Sequence, residues 1–293
     1  MSQRFLLVFL INALTGVALA ERAAVSVTDF EGRTVSLAAP AKRIVALAPH
    51  VVENLYSAGA GDRIVGVVDH SNYPPEALAH PSVGNYKSWN LELIAELRPD
   101  LIVMWASGSG LNQLEPLRQL NIPIYISEPR SLSDIPKTIR ALGVLAGSAD
   151  ASRKASEEYE QTLAALRIRY ARKDPLSVFY QVWNDPLQTL NGAHLISSII
   201  KLCGGQNIFS DLPQLAPRVG VEAVLARNPD VVVASGMGEA RPEWLDEWRR
   251  FAELKAVRRE ALLFVNPDLI QRPTVRVLQG AQSLCKQMDT LER

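Results

Sequence analysis

The chain has 293 residues, 31 basic and 31 acidic side chains, 47% hydrophobic residues and 21% charged ones. That length holds one large domain or two modest lobes, and the composition is that of a globular protein. The charge balance excludes the basic excess of a nucleic-acid binder, and no block of like charge suggests an acidic or basic tail.

The chain opens with Arg4 and the apolar run 5–11, followed by Ala18-Leu-Ala20 before Glu21. A basic start, a short apolar core and a small-x-small cleavage site predict a secretory signal peptide over residues 1–20. The run is short for a membrane span and is interrupted by Asn12 and Gly16. No cysteine lies near the cleavage point to carry a lipid. Export makes Cys203 and Cys285 candidates for one disulfide, with two buried free thiols as the alternative.

A hairpin is predicted around Glu31-Gly32, then a strand over 44–47, a helix over 51–58 stopped by Gly59, and a strand over 64–68. A short helix over 91–97, a strand over 101–105, a helix over 111–120 and a strand over 124–126 follow. Continuous apolar strands alternating with helices indicate a parallel sheet covered on both faces. Residues 149–173 differ in kind. They carry Ala, Glu, Lys, Arg and Leu at helical spacing with no Gly or Pro, and Asp174-Pro175 ends the pattern. One long linker helix is expected there.

The alternation then restarts: strand 178–183, helix 195–203, helix 221–226, strand 231–233, helix 244–257, strand 262–265 and a closing helix over 274–291. The predicted fold class is therefore α/β, with a first lobe over 21–148, a linker helix over 149–173 and a second lobe over 174–293.

One stretch occurs twice. NLELIAELRPDLIV, which starts at Asn90, aligns without a gap on GVEAVLARNPDVVV, which starts at Gly220. Glu92 falls on Glu222, Asp100 on Asp230, and both copies run into Ala-Ser-Gly. Each copy predicts a short helix with Glu at its second position, with Leu91, Ile94, Ala95 and Val221, Val224, Leu225 facing the sheet. A Pro-Asp turn leads into the strand, and a Gly/Ser loop stands at that strand's carboxyl end. Open α/β sheets bind ligands outside those ends, so two lobes with such ends face to face make a ligand cleft. The two Glu residues suit the free N–H groups of a helix's first turn. Equally, they suit a partner that has two similar halves, where paired charges aid orientation.

Tyr73, Tyr86, Trp89 and Trp105 fall in or beside turns of the first lobe, and Trp183 ends the first strand of the second. Aromatic faces at strand ends fit a large planar or amphipathic ligand, and core packing is the other use of each. Trp244 and Trp248, four apart, read as core. His50, just after Pro49, is a candidate ligand contact at a helix start. No catalytic residue can be named: no nucleophile, base and orienting group occur together, and Gly108-Ser-Gly110 is neither a nucleophile elbow nor a phosphate loop. The four His and two Cys form no metal pattern.

Val27-Thr-Asp-Phe-Glu-Gly-Arg33 and Lys42-Arg-Ile-Val45 resemble the opening of periplasmic binding proteins that serve ABC importers of metal chelates: siderophores, haem and cobalamin. The resemblance runs from about Ala24 to Cys285. Ser71-Asn-Tyr-Pro-Pro75, Asn90-Leu-Glu92, Arg98-Pro-Asp100 and Cys203-Gly-Gly-Gln-Asn-Ile-Phe209 are most similar to the cobalamin (vitamin B12) branch.

The resemblance implies two Rossmann-like lobes joined by a single long helix, and a periplasmic monomer that binds a corrinoid and carries no cofactor of its own. It implies delivery to a homodimeric ABC permease with its ATPase subunits, with Glu92 and Glu222 as the docking points. It also implies a disulfide in the second lobe, matching Cys203 and Cys285. As ligand contacts it implies Tyr73, Trp183, Asp268 and Arg272, with Tyr86 standing where a Trp occurs in related binders. Trp105 is taken with them from the aromatic reading. Ala216 stands where another aromatic can occur, a departure that thins one wall. The same fold binding haem or a ferric siderophore is the alternative, with Tyr73, Tyr86 and His50 available to haem. An exported α/β enzyme is the third reading.

Overall fold

A computed structural model describes residues 24–171, 174–236 and 240–291. The leader assigned to residues 1–20 lies outside them. The strands are β1 (Val25–Thr28), β2 (Thr34–Leu37), β3 (Ile44–Ala46), β4 (Ile64–Val67), β5 (Gly84–Asn85), β6 (Ser88–Trp89), β7 (Leu101–Trp105), β8 (Ile124–Ser127), β9 (Leu176–Gln181), β10 (Gly205–Asn207), β11 (Val231–Ala234) and β12 (Leu262–Phe264). The helices are α1 (Pro49–Ser57), α2 (Leu91–Glu96), α3 (Ala106–Ser109), α4 (Leu114–Arg118), α5 (Asp134–Ala146), α6 (Ala149–Arg169), α7 (Leu195–Leu202), α8 (Val221–Arg227), α9 (Lys255–Arg258), α10 (Pro267–Ile270) and α11 (Val277–Thr290).

Two parallel four-stranded sheets organise the chain, in the orders β4-β3-β7-β8 and β10-β9-β11-β12. In each, the first strand in sequence lies between the second and the third, so the lobes share one topology. The apolar runs are buried on both faces, and the two-residue period of a strand sorts them. Ile44, Ala46, Leu101 and Val103 face one core, with α1 and α5. Val45, Leu47, Ile102 and Met104 face another, with Ile94 of α2 and Leu114 and Leu117 of α4. In the second lobe Val178, Tyr180, Val231 and Val233 face α7 and α11, while Phe179, Val232 and Ala234 face α8 and Trp248.

The inner faces of both sheets belong to one continuous apolar core, to which α6 contributes Tyr159, Leu163 and Leu166. Helix α6 has 21 residues and packs against α5 and α11. It is therefore about 32 Å long and lies against both lobes. It ends at Arg169, short of the expected 173, because Tyr170 leaves helical geometry (φ −109°) with its ring buried.

Other expectations are corrected. Residues 244–257 do not form one helix. A 3-10 segment, Glu243–Arg250, is separated from α9 at Phe251, whose ring packs on Trp248 at a centroid distance of 5.8 Å. Residues 111–120 begin as a 3-10 turn before α4. The supposed Gly/Ser loop of the first lobe is helix α3; residues 237–239 of the second-lobe copy lie outside the described ones. Ala95 is exposed, so Leu91 and Ile94 alone of the three turn inward. Helix α5 was not anticipated.

The repeated Pro-Asp has a structural job. Asp100 accepts hydrogen bonds from the backbone N–H groups of Lys42 (2.8 Å) and Arg43 (3.0 Å) at the entry to β3. Asp230 accepts from the backbone N–H and the hydroxyl of Ser177 (3.0 and 2.6 Å) at the entry to β9. The peptide N–H of each Asp returns a bond to that neighbouring strand, to Arg43 O and Ser177 O. Each buckle ties α2 or α8 to the sheet. Replacing Asp230 by Ala leaves the Ser177 donors without their acceptor and is expected to cost about 1–3 kcal/mol, read as a lower urea midpoint.

Candidate functional site

In both lobes the carboxyl ends of the strands turn toward the other lobe, and the side chains there meet. From the first lobe come His50 and Glu53 at the start of α1, Trp105 at the end of β7, and Glu128 just after β8. From the second come Trp183 just after β9, Ser235 just after β11, and the segment from Asp268 to Pro273 after β12. Asn54 donates to the carbonyl of Pro273 across the interface (3.0 Å). Trp105, Glu128 and Arg130 line a narrow gap opposite His194, Leu215 and Gln271.

The aromatic candidates form two groups. In the first, the Trp105 indole stands edge-on to His50 at 5.1 Å and is tilted against Tyr86 at 6.1 Å. Gly108 makes this possible, because a Cβ there would sit 1.9 Å from the indole. Tyr73 and Trp183 stand apart from this cluster. They are 41% and 40% exposed, large rings that the core does not use. Trp183 is oriented by its indole N–H, which donates to Asp185 O (2.9 Å). Trp248 is core, as expected, and its indole N–H donates to the buried Gln181 (2.7 Å).

Arg272 and Asp268 lie together at 3.0 Å. Arg272 also reaches Glu53 (2.9 Å), the side chain of Asn72 (2.8 Å) and the carbonyl of His70 (3.3 Å), all in the first lobe. Arg276 makes a two-bond fork to Glu53 (2.9 and 2.7 Å), and its guanidinium lies 3.8 Å from the centroid of the Tyr73 ring. Glu53 is 2% exposed. A second buried carboxylate, Glu128, accepts from the N–H of Ser107 (2.7 Å) and lies 3.5 Å from Arg130. Sequence reading missed Glu53, Arg276 and Glu128. The one local signal for Glu53 is a charge inside the apolar helical run 51–55.

His50 is buried, and its Nε2 has no hydrogen-bond partner among the described residues. Burial, and then the charge of Arg272, pull its pKa down to about 3. The unfolded chain binds this proton near pH 6.5, so it holds more protons than the folded chain between the two values. The stability from a neutral His50 is therefore complete above pH 6.5 and is lost as pH falls toward 3, with a limiting slope of about 1.4 kcal/mol per pH unit. His194, whose Nδ1 accepts from the N–H of Ile196, is lowered to about 4 by burial and adds to the trend. Urea midpoints at pH 7.5 and 4.5 are expected to differ by less in His50→Gln than in the unaltered protein.

Glu92 and Glu222 are both exposed, each at the second position of its helix. Asn90 caps α2 by accepting from the N–H of Leu93 (2.9 Å), whereas Gly220 offers no side chain to cap α8. With Asn90 in place Glu92 is not needed as a side-chain cap, whereas Glu222 is the acidic group of an uncapped first turn. Cys203 and Cys285 are joined in a disulfide between the end of α7 and α11. Among the described residues, no His, Cys, Asp and Glu group is placed to hold a metal ion, and no helix is long and apolar enough to cross a membrane.

Two lobes of one topology on a shared core, with a cleft between their strand ends, define a solute-binding architecture, and the chain belongs to the periplasmic binding protein family, whose profile matches residues 44–269. It is 39% identical, over 84% of its length and 88% of the relative's, to the vitamin B12-binding protein of Vibrio cholerae serotype O1. It is 35% identical to the vitamin B12-binding protein of Yersinia pestis, over 86% of this chain and 88% of that one. The crystal structure of the periplasmic vitamin B12 binding protein of Vibrio cholerae superposes with a TM-score of 0.79 at 37% identity, covering 87% of this chain and 99% of that one. A periplasmic haem-binding protein from Roseiflexus shares the fold, with a TM-score of 0.73 at 21% identity over 86% of this chain and 99% of that one.

Proposed function

We propose that this chain is a periplasmic, non-enzymatic binder that captures cobalamin, or a close corrinoid, between its lobes and delivers it to an inner-membrane ABC permease. The observation that carries this reading is the 37% identity to a vitamin B12 binding protein structure along a superposition that spans both lobes. The cleft chemistry supports it. Tyr73 and Trp183 offer half-exposed aromatic surface to a large, flat, amphipathic ligand, and Trp105 with Tyr86 forms a separate aromatic group in the first lobe. Asp268 and Arg272 stand where polar groups can meet amide edges. Ala216 leaves one part of the wall without a ring.

The mature chain begins at Glu21, the lobes are 21–148 and 174–293, and it works as a monomer. Glu92 and Glu222 dock onto the two halves of a homodimeric permease coupled to its ATPase subunits, and the shared lobe topology matches that two-fold symmetry.

Calorimetric titration of the mature protein with cyanocobalamin is the test. One-to-one binding is the expected result. No heat with cyanocobalamin, together with uptake of haemin or a ferric siderophore, overturns the ligand and leaves the fold's transport role in place. Turnover of a substrate without any permease overturns the binder reading itself.

A further inference from the structure

Glu53 belongs to none of the ligand or docking sets, yet it is among the most committed side chains in the molecule. A carboxylate removed from water persists only where cations and hydrogen bonds replace the water. Glu53 has three such bonds, one from Arg272 and two from Arg276, both more than two hundred positions further along the chain. Asp268 closes the group, so that two carboxylates face two guanidinium ions.

These arginines also hold the loop that carries Tyr73. Arg272 donates to the carbonyl of His70 and to the side chain of Asn72, and the Arg276 guanidinium lies over the Tyr73 ring. His70 has a left-handed backbone (φ 64°), a conformation a non-glycine residue keeps only where its surroundings enforce it. The loop that presents one exposed ring in the first lobe is thus gripped by the second lobe, and both arginines are aimed by one buried carboxylate.

We propose that Glu53 is a positioning residue for ligand capture: it locks Arg272 and Arg276 across the lobe interface and through them fixes the Tyr73 loop at the cleft edge. The proposal rests on the reading of Tyr73 as a wall for the corrinoid. Glu53 itself is buried, at 2% exposure, and is assigned no ligand contact.

The test is a double-mutant cycle on cyanocobalamin affinity with Glu53→Gln and Tyr73→Ala. Alone, Glu53→Gln is expected to weaken binding about tenfold. In the Tyr73→Ala background the same change is expected to weaken it by less than about threefold, because residues that act through one another are not additive. An unchanged affinity, or equal losses in both backgrounds, overturns the proposal.

Amide hydrogen exchange of the ligand-free protein is the second readout. Exchange over residues 69–73 is expected to rise about tenfold in Glu53→Gln, with β3 and β7 unchanged. A uniform rise, or none, assigns Glu53 to general stability. Should the unaltered protein fail to bind cyanocobalamin, the functional reading falls, and exchange alone still decides the interlobe lock. Arg276→Gln, which leaves Glu53 its bond from Arg272, serves if Glu53→Gln does not fold, with the same expected direction in both readouts.

Discussion

With Glu92 and Glu222 both changed to Ala, the purified protein is expected to bind cyanocobalamin as tightly as before, while uptake through its permease falls by two orders of magnitude or more. Both residues are exposed and lie outside the cleft-facing strand ends. Their own contribution to folding is a first-turn dipole term of about 0.3–1 kcal/mol each, too small to disturb the lobes. Where docking buries a hydrogen-bonded charge pair, truncating one member costs about 2–5 kcal/mol. Two such losses weaken docking by about a thousandfold or more. If docking engages both halves of the partner, as proposed above, each single change is expected to give an intermediate defect. Calorimetry paired with cellular uptake checks this. Unimpaired uptake, or lost ligand binding in the double variant, removes the docking assignment.

The second large effect is on stability. Replacing Cys203 and Cys285 together by Ala opens a cross-link of sequence separation 82. In the chain-entropy account this restores about 4.5 kcal/mol of freedom to the unfolded state, or a fall of about 7 °C in melting temperature for a chain of this size. Both cysteines are fully buried between α7 and α11, away from the strand ends that form the cleft. Affinity for the ligand at 25 °C is therefore expected to be retained. A melting temperature within 2 °C or so of the unaltered protein would show that the helix packing, not the bond, holds this corner.

The alternation of apolar runs and helical patterns made the two sheets legible, and the gapless repeat exposed the kinship of the lobes. Helix α5 was hidden by two residues that usually argue against helix. Pro136 sits in its first turn, where a missing N–H costs nothing. Gly143 sits mid-helix because α6 passes so close that a Cβ would lie 2.0 Å from the hydroxyl of Ser152. The breaker in the sequence is a packing contact in space.

The candidate site divides in the same way. Glu92 and Glu222 showed through repetition, and the aromatic residues through their place at strand ends. Glu53 did not show, because its partners are distant in sequence and nothing local marks a buried charge as shared. Trp105 was visible as an aromatic, but its dependence on Gly108 was not.

The two Pro-Asp buckles and the common core together act as a caliper. Each exposed glutamate sits on a short helix clamped to its own sheet, and the two sheets are stacked on one apolar body with α6 along it. The spacing of the two helix tips is therefore a dimension of the whole fold, tied to both sheets and their common core. On the docking proposed above, a permease that grips both tips measures that dimension.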